Sequence, residues 1–122
     1  MKNQNVDVVE EFNPDAEIFE GGPTQGQIEE WKQRFGEVYS TPFEVDIYIW
    51  RPLSRLEYKE ILKAKNADAM YKEERICEKC VLWPENYGHQ EMTHGKAGTP
   101  SLLAEHIMDK SGFLANGEAK KL

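Results

Sequence analysis

The sequence predicts an α+β fold, in which an amphipathic helix precedes a β-hairpin and about three further helices pack on that hairpin. Three observations predict this fold class. Apolar residues recur with helical spacing after residue 24, they alternate strictly from residue 43 to residue 50, and two later segments begin with helix N-terminal signals. With 122 residues, 39% of them apolar, the chain has room for one domain with a modest core.

The first helix is predicted over residues 25–35. Thr24 and Gln27 have the spacing of a capping box, in which side chains satisfy free amide groups at a helix start. Gly36 is expected to end the helix in a left-handed conformation, which glycine adopts without steric cost. The apolar face of this helix is formed by Ile28, Trp31 and Phe35.

The hairpin is predicted where the apolar period changes to two residues. Val38 and Tyr39 form a first short strand, residues 40–42 break it, and residues 43–50 form the second strand. The inward face of the second strand is expected to carry Phe43, Val45, Ile47 and Ile49. The outward face is expected to carry Tyr48 and Trp50. A lone hairpin is marginally stable, so it must pack on the helices or on another chain, to which its edge can pair.

A second capping box, Ser54 with Glu57, predicts a helix that runs to about residue 65. Residues 66–68 then interrupt the helical pattern. The next helix is predicted from about residue 69 to residue 82. It stops there because Pro84 pushes Trp83, the residue before it, out of helical space.

A polar loop is predicted over residues 84–98, before the last helix. That helix begins at Thr99, because Pro100 suits a position where no amide hydrogen is needed. It is expected to end at Ser111 and Gly112. Two apolar residues, Phe113 and Leu114, are then expected to pack back over the helix end.

The negative charge is concentrated at the N-terminus. Residues 1–20 contain six acidic residues and one lysine, a net charge of −5, which leaves −2 of the total of −7 for the rest. Such a segment cannot bury enough apolar surface to offset its ordering entropy. We therefore predict a disordered acidic leader at 1–22, one domain at 23–114 and a flexible tail at 115–122.

Charge and hydropathy also bear on location. The acidic chain should be repelled by nucleic-acid backbones and by anionic membranes, so neither is an expected partner. No apolar run approaches the ~20 residues that span a bilayer. The acidic N-terminus lacks the apolar segment of a secretory signal, so we expect an intracellular protein.

Two cysteines and two histidines form the sharpest candidate for a metal site. Cys77, Cys80, His89 and His94 supply four ligands of the types that zinc accepts in a tetrahedral site. The alternative is that both cysteines act as small apolar residues on a buried helix face beside Val81. The second interpretation is favoured, and no cofactor is expected. In a reducing compartment both cysteines would be free thiols.

The sequence offers no catalytic set. A cysteine nucleophile would need a lowered thiol pKa, but the acidic side chains of Glu73, Glu74 and Glu78 lie next to Cys77 and Cys80 in sequence. His106 lies on the inner side of the last predicted helix, where a satisfied core or boundary residue is more common than a ligand. We therefore expect a binding protein and not an enzyme.

Arginine and aromatic residues form a candidate binding patch. Arg51 and Arg55 lie close to Trp50, and both residue types are enriched at binding hot spots. With Tyr48 and Trp83 they are the predicted partner-binding residues. The alternative is that Arg51 pairs with acidic residues of the strand and that Arg55 has no special role.

Several short motifs resemble those of small assembly proteins of tailed bacteriophages, most closely tail assembly chaperones. These motifs are IWRPLSRLEYK at 49–59, VLWP at 81–84, AGTP at 97–100 and IMDKSGF at 107–113, after the helix that contains Trp31, Lys32, Phe35 and Gly36. The resemblance covers residues 28–113 and consists of structural signatures. It implies a non-enzymatic protein of the host cytoplasm that keeps a virion component, such as the helical tape-measure protein, soluble until the tail assembles.

Two other functions stay open. One is a structural component of the virion, such as a head–tail connector or a decoration protein. The other is a small zinc-binding interaction module built on the cysteine and histidine set. An exposed hairpin face is also compatible with a homo-oligomer.

Overall fold

The computed structural model describes residues 11–113 and 117–122 and has the predicted α+β fold. The helices in these residues are α1 Gln25–Phe35, α2 Arg55–Leu62, α3 Ala69–Cys80, α4 His89–His94 and α5 Thr99–Lys110. The strands are β1 Tyr39–Phe43, β2 Asp46–Trp50 and β3 Val81–Trp83, and they form an antiparallel sheet in the order β1-β2-β3. None of the helices in the described part of the chain is long and apolar enough to cross a membrane.

The chain divides into two compact units, residues 1–36 and residues 37–122. In the first unit, the segment before α1 folds back on the start of that helix. The Gln25 amide donates to the Ala16 carbonyl (2.8 Å), and the Gly26 amide donates to the Pro14 carbonyl (3.1 Å). The boundary between units therefore follows α1, whereas the sequence placed a domain boundary before it.

The prediction of disorder for the leader is wrong for residues 11–22. This stretch forms turns, a bridge joins Glu17 to Thr24, and the Ile18 amide donates to the Pro23 carbonyl (2.9 Å). Gly22 allows this turn to close, because a Cβ atom there would lie 2.4 Å from the Phe19 ring. Disorder was wrongly predicted because hydrogen bonds within local turns order this acidic segment, even though it buries little apolar surface. The rest of the predicted leader, residues 1–10, lies outside the described residues.

The predicted ends of α1 are confirmed. The Thr24 hydroxyl accepts a hydrogen bond from the Gln27 amide (3.1 Å), which caps the helix N-terminus. Gly36 has a φ of 90°, and its amide donates to the Lys32 carbonyl (2.8 Å). Both signals act within a few residues, which is why the sequence located them.

The hairpin turn lies elsewhere than predicted. Residues 40–42 do not break the strand but belong to β1, and the chain reverses at Glu44 and Val45, between the paired residues Phe43 and Asp46. Glu44 has a φ of 58°, which a two-residue hairpin turn requires at its first position. Glutamate seldom adopts this conformation, so the sequence carried no turn signal there.

The predicted faces of the hairpin are also wrong. Trp50 is 2% exposed and Tyr48 is buried with it in the core, whereas Val45, predicted to point inward, is 94% exposed at the turn. Ile49 is buried as well, although outside that core cluster. Because the consecutive residues Tyr48, Ile49 and Trp50 are all buried, the C-terminal half of β2 is covered on both faces, and the alternation rule for a half-exposed strand does not apply.

Two elements in the second unit were missed. The helix predicted to reach residue 82 ends at Cys80, and residues 81–83 form β3, where Trp83 pairs with Ile49. The loop predicted over 84–98 contains α4, whose first turn is stabilised by the Glu91 carboxylate, which accepts from the Gly88 amide (3.0 Å). Pairing with β2 is a tertiary contact, so the local sequence pattern could not reveal it.

The start of α2 and the end of α5 follow the prediction, whereas α2 ends at Leu62 and not at about residue 65. Ser54 and Glu57 form the expected capping box. At the end of α5, the Phe113 amide donates to the Met108 carbonyl (3.0 Å), and the Gly112 amide donates to the Asp109 carbonyl (3.1 Å). This is the Schellman arrangement, with Gly112 at a φ of 90°. Leu114 lies outside the described residues, and residues 117–122 of the predicted tail are exposed and form no helix or strand.

The core of the second unit joins the sheet to the helices. Helix α5 contributes Leu103, Ala104 and Ile107, and α3 contributes Ile76, Cys77 and Cys80. Further members come from β2, α2, β3 and α4, namely Tyr48, Trp50, Ile61, Val81 and Met92. Four helices of the described residues therefore share one core with the sheet, where the sequence predicted about three.

Arg51 holds three elements together at the edge of this core. Its Nη1 and Nη2 atoms donate to the two carboxylate oxygens of Glu57 at 2.7 and 2.9 Å, and Nη2 also donates to the Lys79 carbonyl (2.9 Å). The Arg51 amide donates to the Cys80 carbonyl (3.0 Å). The end of β2 is thereby bound to α2 and to the end of α3. The Arg51 guanidinium, helped by Ser54, lowers the pKa of Glu57 to about 2.

A buried hydroxyl group links β1, β2 and α5. Thr41 is 1% exposed, and its hydroxyl accepts from the Trp50 indole nitrogen and lies 2.8 Å from Nδ1 of His106. The indole can only donate, so the hydroxyl accepts that bond and keeps its own proton and a second lone pair for the contact with His106, whose direction depends on the histidine tautomer. His106 is therefore a satisfied boundary residue, in agreement with the sequence prediction.

Replacement of Glu57 by glutamine should lower the free energy of unfolding by about 2 kcal/mol at pH 7, because the Arg51 guanidinium loses its charged bidentate partner. Urea unfolding measures this change. Glu60→Gln is the matched control, since the pair of Glu60 with Lys63 on the same helix is exposed. An equal effect of the two substitutions would contradict the role given to Arg51.

The same pair predicts a dependence of stability on pH. A carboxylate with a lowered pKa stabilises the folded state above its unfolded pKa and loses that contribution as pH falls. The difference in unfolding free energy between the wild type and Glu57→Gln should therefore shrink as pH falls from 4.5 toward about 2. A difference that stays constant over this range would contradict the assignment.

Replacement of Thr41 by valine should lower the free energy of unfolding by about 1–3 kcal/mol, because it leaves the buried Trp50 N–H without an acceptor. The measurement is urea unfolding together with the amide and indole exchange rates by NMR. Faster exchange of the Trp50 indole proton is expected. Ser40→Ala, an exposed neighbour on the same strand, is the control and should change neither quantity.

Candidate functional site

The predicted aromatic binding face does not exist. Tyr48 and Trp50 belong to the core, where Trp50 stacks on Tyr39 with ring centroids 5.0 Å apart and Tyr48 packs edge-on against Tyr87. The physical reason is that both faces of β2 are covered. These two residues are therefore not available to bind a partner.

The predicted arginine patch is divided between different roles. Arg51 pairs with Glu57 of α2, so it acts as the alternative interpretation proposed, although its partner lies on a helix and not on the strand. Arg55 is exposed at the start of α2, and Trp83 is partly buried in β3. The structure thus does not bring the five predicted partner-binding residues together on one surface.

The four residues of the zinc hypothesis are also not brought together. In residues 11–113 and 117–122, no group of three or more His, Cys, Asp or Glu side chains is placed to hold a metal ion. Cys77 and Cys80 are fully buried in the core, and His89 is exposed, with Nδ1 3.8 Å from a Glu74 oxygen. The cysteines therefore occupy the positions that the apolar interpretation gave them.

Burial controls the chemistry of the two thiols. It raises the pKa of Cys77 to about 12, with a further contribution from Cys80 and from the nearby glutamates. It also raises the pKa of Cys80 to about 12, against a lowering effect of the Arg51 charge. The thiolate is the nucleophilic form of cysteine, so these environments disfavour thiol reactivity near neutral pH.

The best candidate for a functional surface is a groove over α3 and α5, which we call the α3–α5 groove. It consists of two adjacent depressions of about 370 and 380 Å³. The first is lined by Met70, Met92 and Pro100, and the second by Tyr58, Ile76, Ala104 and Met108. The floor of the α3–α5 groove is therefore apolar, and it lies entirely within the second unit.

Methionine is the characteristic residue of this surface. Three of the four methionines in the chain, Met70, Met92 and Met108, line the α3–α5 groove. Met70 is 68% exposed, which is unusual for a large apolar side chain without a partner. Unbranched methionine side chains adapt to different shapes and are favoured on surfaces that bind other proteins.

One hydrogen bond separates the two depressions. The Ser101 hydroxyl on α5 donates to the Glu73 carboxylate on α3 (2.8 Å), and both residues line both depressions. This bond crosses the seam between the helices and makes a polar bridge in the middle of an apolar floor. A molecule that fills both depressions must pass over it.

The rim of the α3–α5 groove is acidic. Glu73, Glu74 and Glu105 line it, against one basic residue, Lys72. Glu74 lies 3.8 Å from both Arg75 and His89, so its charge is partly balanced, while Glu105 is exposed on α5. The arrangement suits a ligand with an apolar body and positive charges at its edges.

Sequence reasoning missed this surface because it treated residues 84–98 as a loop and so had no α4 to carry Met92. The three methionines within 39 positions, from Met70 to Met108, were the available signal. The three methionines come to one surface only when α3, α4 and α5 are packed together.

Thiol labelling tests the assignment of the cysteines to the core. Ellman's reagent at pH 8 should label Cys77 and Cys80 much more slowly in the native protein than in denaturant, because both thiols are buried and protonated. Met70→Cys provides a positive control, since position 70 is exposed and should be labelled rapidly without denaturant. Equal labelling rates with and without denaturant would contradict the buried positions.

The chemistry of the α3–α5 groove is that of a binding surface, with an adaptable apolar floor, a polar bridge and an acidic rim. In comparisons of the whole chain with protein-family models, curated proteins and solved structures, none matches it. The occupant of the groove is therefore inferred from the groove's own residues.

Proposed function

We propose that this chain is a non-enzymatic assembly protein of a tailed bacteriophage that holds a virion component in the host cytoplasm. The tape-measure protein or another tail component is the proposed client, and the α3–α5 groove is the proposed binding surface. The observation that carries this proposal is the groove itself. A concave apolar surface lined with methionine is typical of sites that hold another protein's apolar segment.

The construction of the groove supports a binding role. Its walls are α3 and α5, which also contribute to the core of the second unit through Cys77, Cys80, Leu103 and Ile107. Because packing in the core fixes these two helices, the groove is already formed before a client binds. A preformed surface loses less conformational entropy on binding than one that must be ordered.

The motifs that resemble phage assembly proteins support the proposal in a second way. Two of them meet in space, since the Leu53 amide donates to the Ser111 hydroxyl (2.8 Å) and the rings of Tyr58 and Phe113 lie 4.9 Å apart. A third, at 81–84, pairs with β2. The contacts of these motifs support the end of α5 and the sheet. Such supporting contacts are what we expect of motifs that are structural signatures.

Site-specific photo-crosslinking in infected cells tests the client site. Met70 is replaced by p-benzoylphenylalanine, and illumination should yield a covalent adduct with one virion protein, identified by mass spectrometry. The matched control places the same amino acid at Val45, which is even more open to solvent but lies on the hairpin turn. The proposal fails if position 70 yields no adduct, or if position 45 yields the same adduct at the same level.

Copy number in purified particles separates an assembly protein from a structural component. An assembly protein that releases its client should be absent or scarce in mature particles, whereas a connector or decoration protein should be present at stoichiometric copy number. Quantitative mass spectrometry of particles measures this directly. Stoichiometric retention would replace the proposed role with a structural one.

A further inference from the structure

We infer that the occupant of the α3–α5 groove is a basic amphipathic helix of about three turns, with apolar side chains on either side of the Glu73–Ser101 bridge. This inference rests on the proposed function and specifies the chemistry of the client. It follows from the backbone of the groove, from its two depressions and from the charge of its rim.

The backbone of the groove favours a helical occupant. Its walls are helices, and their amide and carbonyl groups are bonded within each helix. The groove therefore offers no strand edge on which an extended segment can complete its hydrogen bonds. A segment buried on this surface has to satisfy its own backbone groups, and a helix does so internally.

The size of the groove limits the length of that helix. Both α3 and α5 contain 12 residues. At a rise of 1.5 Å per residue, a wall of this length extends for about 18 Å, which accommodates about three turns of a partner helix. Two depressions of similar volume, separated by the Glu73–Ser101 bridge, call for one apolar anchor in each.

Between the anchors, the polar bridge favours a small or polar side chain. A bulky apolar residue placed over the Glu73 carboxylate would remove it from water and leave its charge to the hydrogen bond from the Ser101 hydroxyl. The occupant is therefore expected to present two separate apolar groups and not one continuous apolar stripe.

The rim sets the sign of the charge on the occupant. Three carboxylates and one ammonium group give the rim a net charge of −2, from Glu73, Glu74, Glu105 and Lys72. The chain as a whole carries −7, so the long-range field has the same sign. A helix with lysine or arginine at its edges gains from both, whereas an acidic helix is repelled.

Two synthetic helical peptides test this inference with the full chain. Both are about 14 residues long and share the same apolar positions, but one carries lysine and arginine and the other glutamate at the flanking positions. Fluorescence anisotropy of the labelled peptides at low salt measures binding. The basic peptide should bind about tenfold more tightly than the acidic one, and its affinity should fall as salt is raised.

Variants of the chain locate the interaction. Met70→Glu should abolish binding of the basic peptide, because it places a charge on the apolar floor at an exposed position that does not support the fold. Joint replacement of Glu74 and Glu105 by glutamine should reduce the preference for the basic peptide several-fold. Glu60→Gln removes a similar exposed charge on α2 and should leave binding unchanged.

Four outcomes would overturn the inference. Equal affinity for the basic and acidic peptides would remove the role of the rim, and equal affinity for a basic peptide with scrambled apolar positions would show non-specific attraction. If no peptide binds but position 70 still crosslinks to a virion protein, the inference fails and the proposed function stands. If neither is observed, the groove is not the client site and both fail.

Discussion

The bidentate pair between Arg51 and Glu57 is the interaction on which the arrangement of the second unit depends. Strand β2 and helix α3 end at this point and helix α2 begins, and these ends leave backbone groups that need hydrogen-bond partners. The Arg51 amide and guanidinium donate hydrogen bonds to the last carbonyls of α3. The guanidinium also pairs with Glu57 and so holds the start of α2. A lysine would supply a charge but not the planar fork that reaches two carboxylate oxygens and a carbonyl together.

The position of α5 connects this junction to the proposed binding surface. One face of α5 lies in the core, the Ser111 hydroxyl at its C-terminal end accepts a hydrogen bond from the Leu53 amide, and Ala104 and Met108 line the α3–α5 groove. This wall of the groove is therefore held both by the core and by the segment that follows Arg51. This explains how a chain of modest apolar content maintains an open apolar surface without collapse.

The predictions that were confirmed concern contacts between residues near in sequence, whereas most of those that were wrong concern contacts between distant segments. The starts of α1, α2 and α5, the break before α3 and the end of α5 were predicted, because each depends on contacts within a few residues, as between Thr24 and Gln27. The turn at Glu44 was not, because glutamate carries no turn signal, and strand β3 and the burial of Tyr48 and Trp50 were not, because they depend on contacts with distant segments. The groove was missed for the same reason, although its methionines were visible in the sequence.

The sequence by itself determined the fold class, the helix caps and the uneven distribution of charge, since these follow from composition and from bonds between near neighbours. Only the tertiary structure decided which faces are covered. It placed Trp50 inside by packing helices of the core against the sheet, ended α3 at Cys80 by pairing residues 81–83 with β2, and left Met70 exposed. Burial is a property of a residue's surroundings, and those surroundings come from parts of the chain that no local pattern can specify.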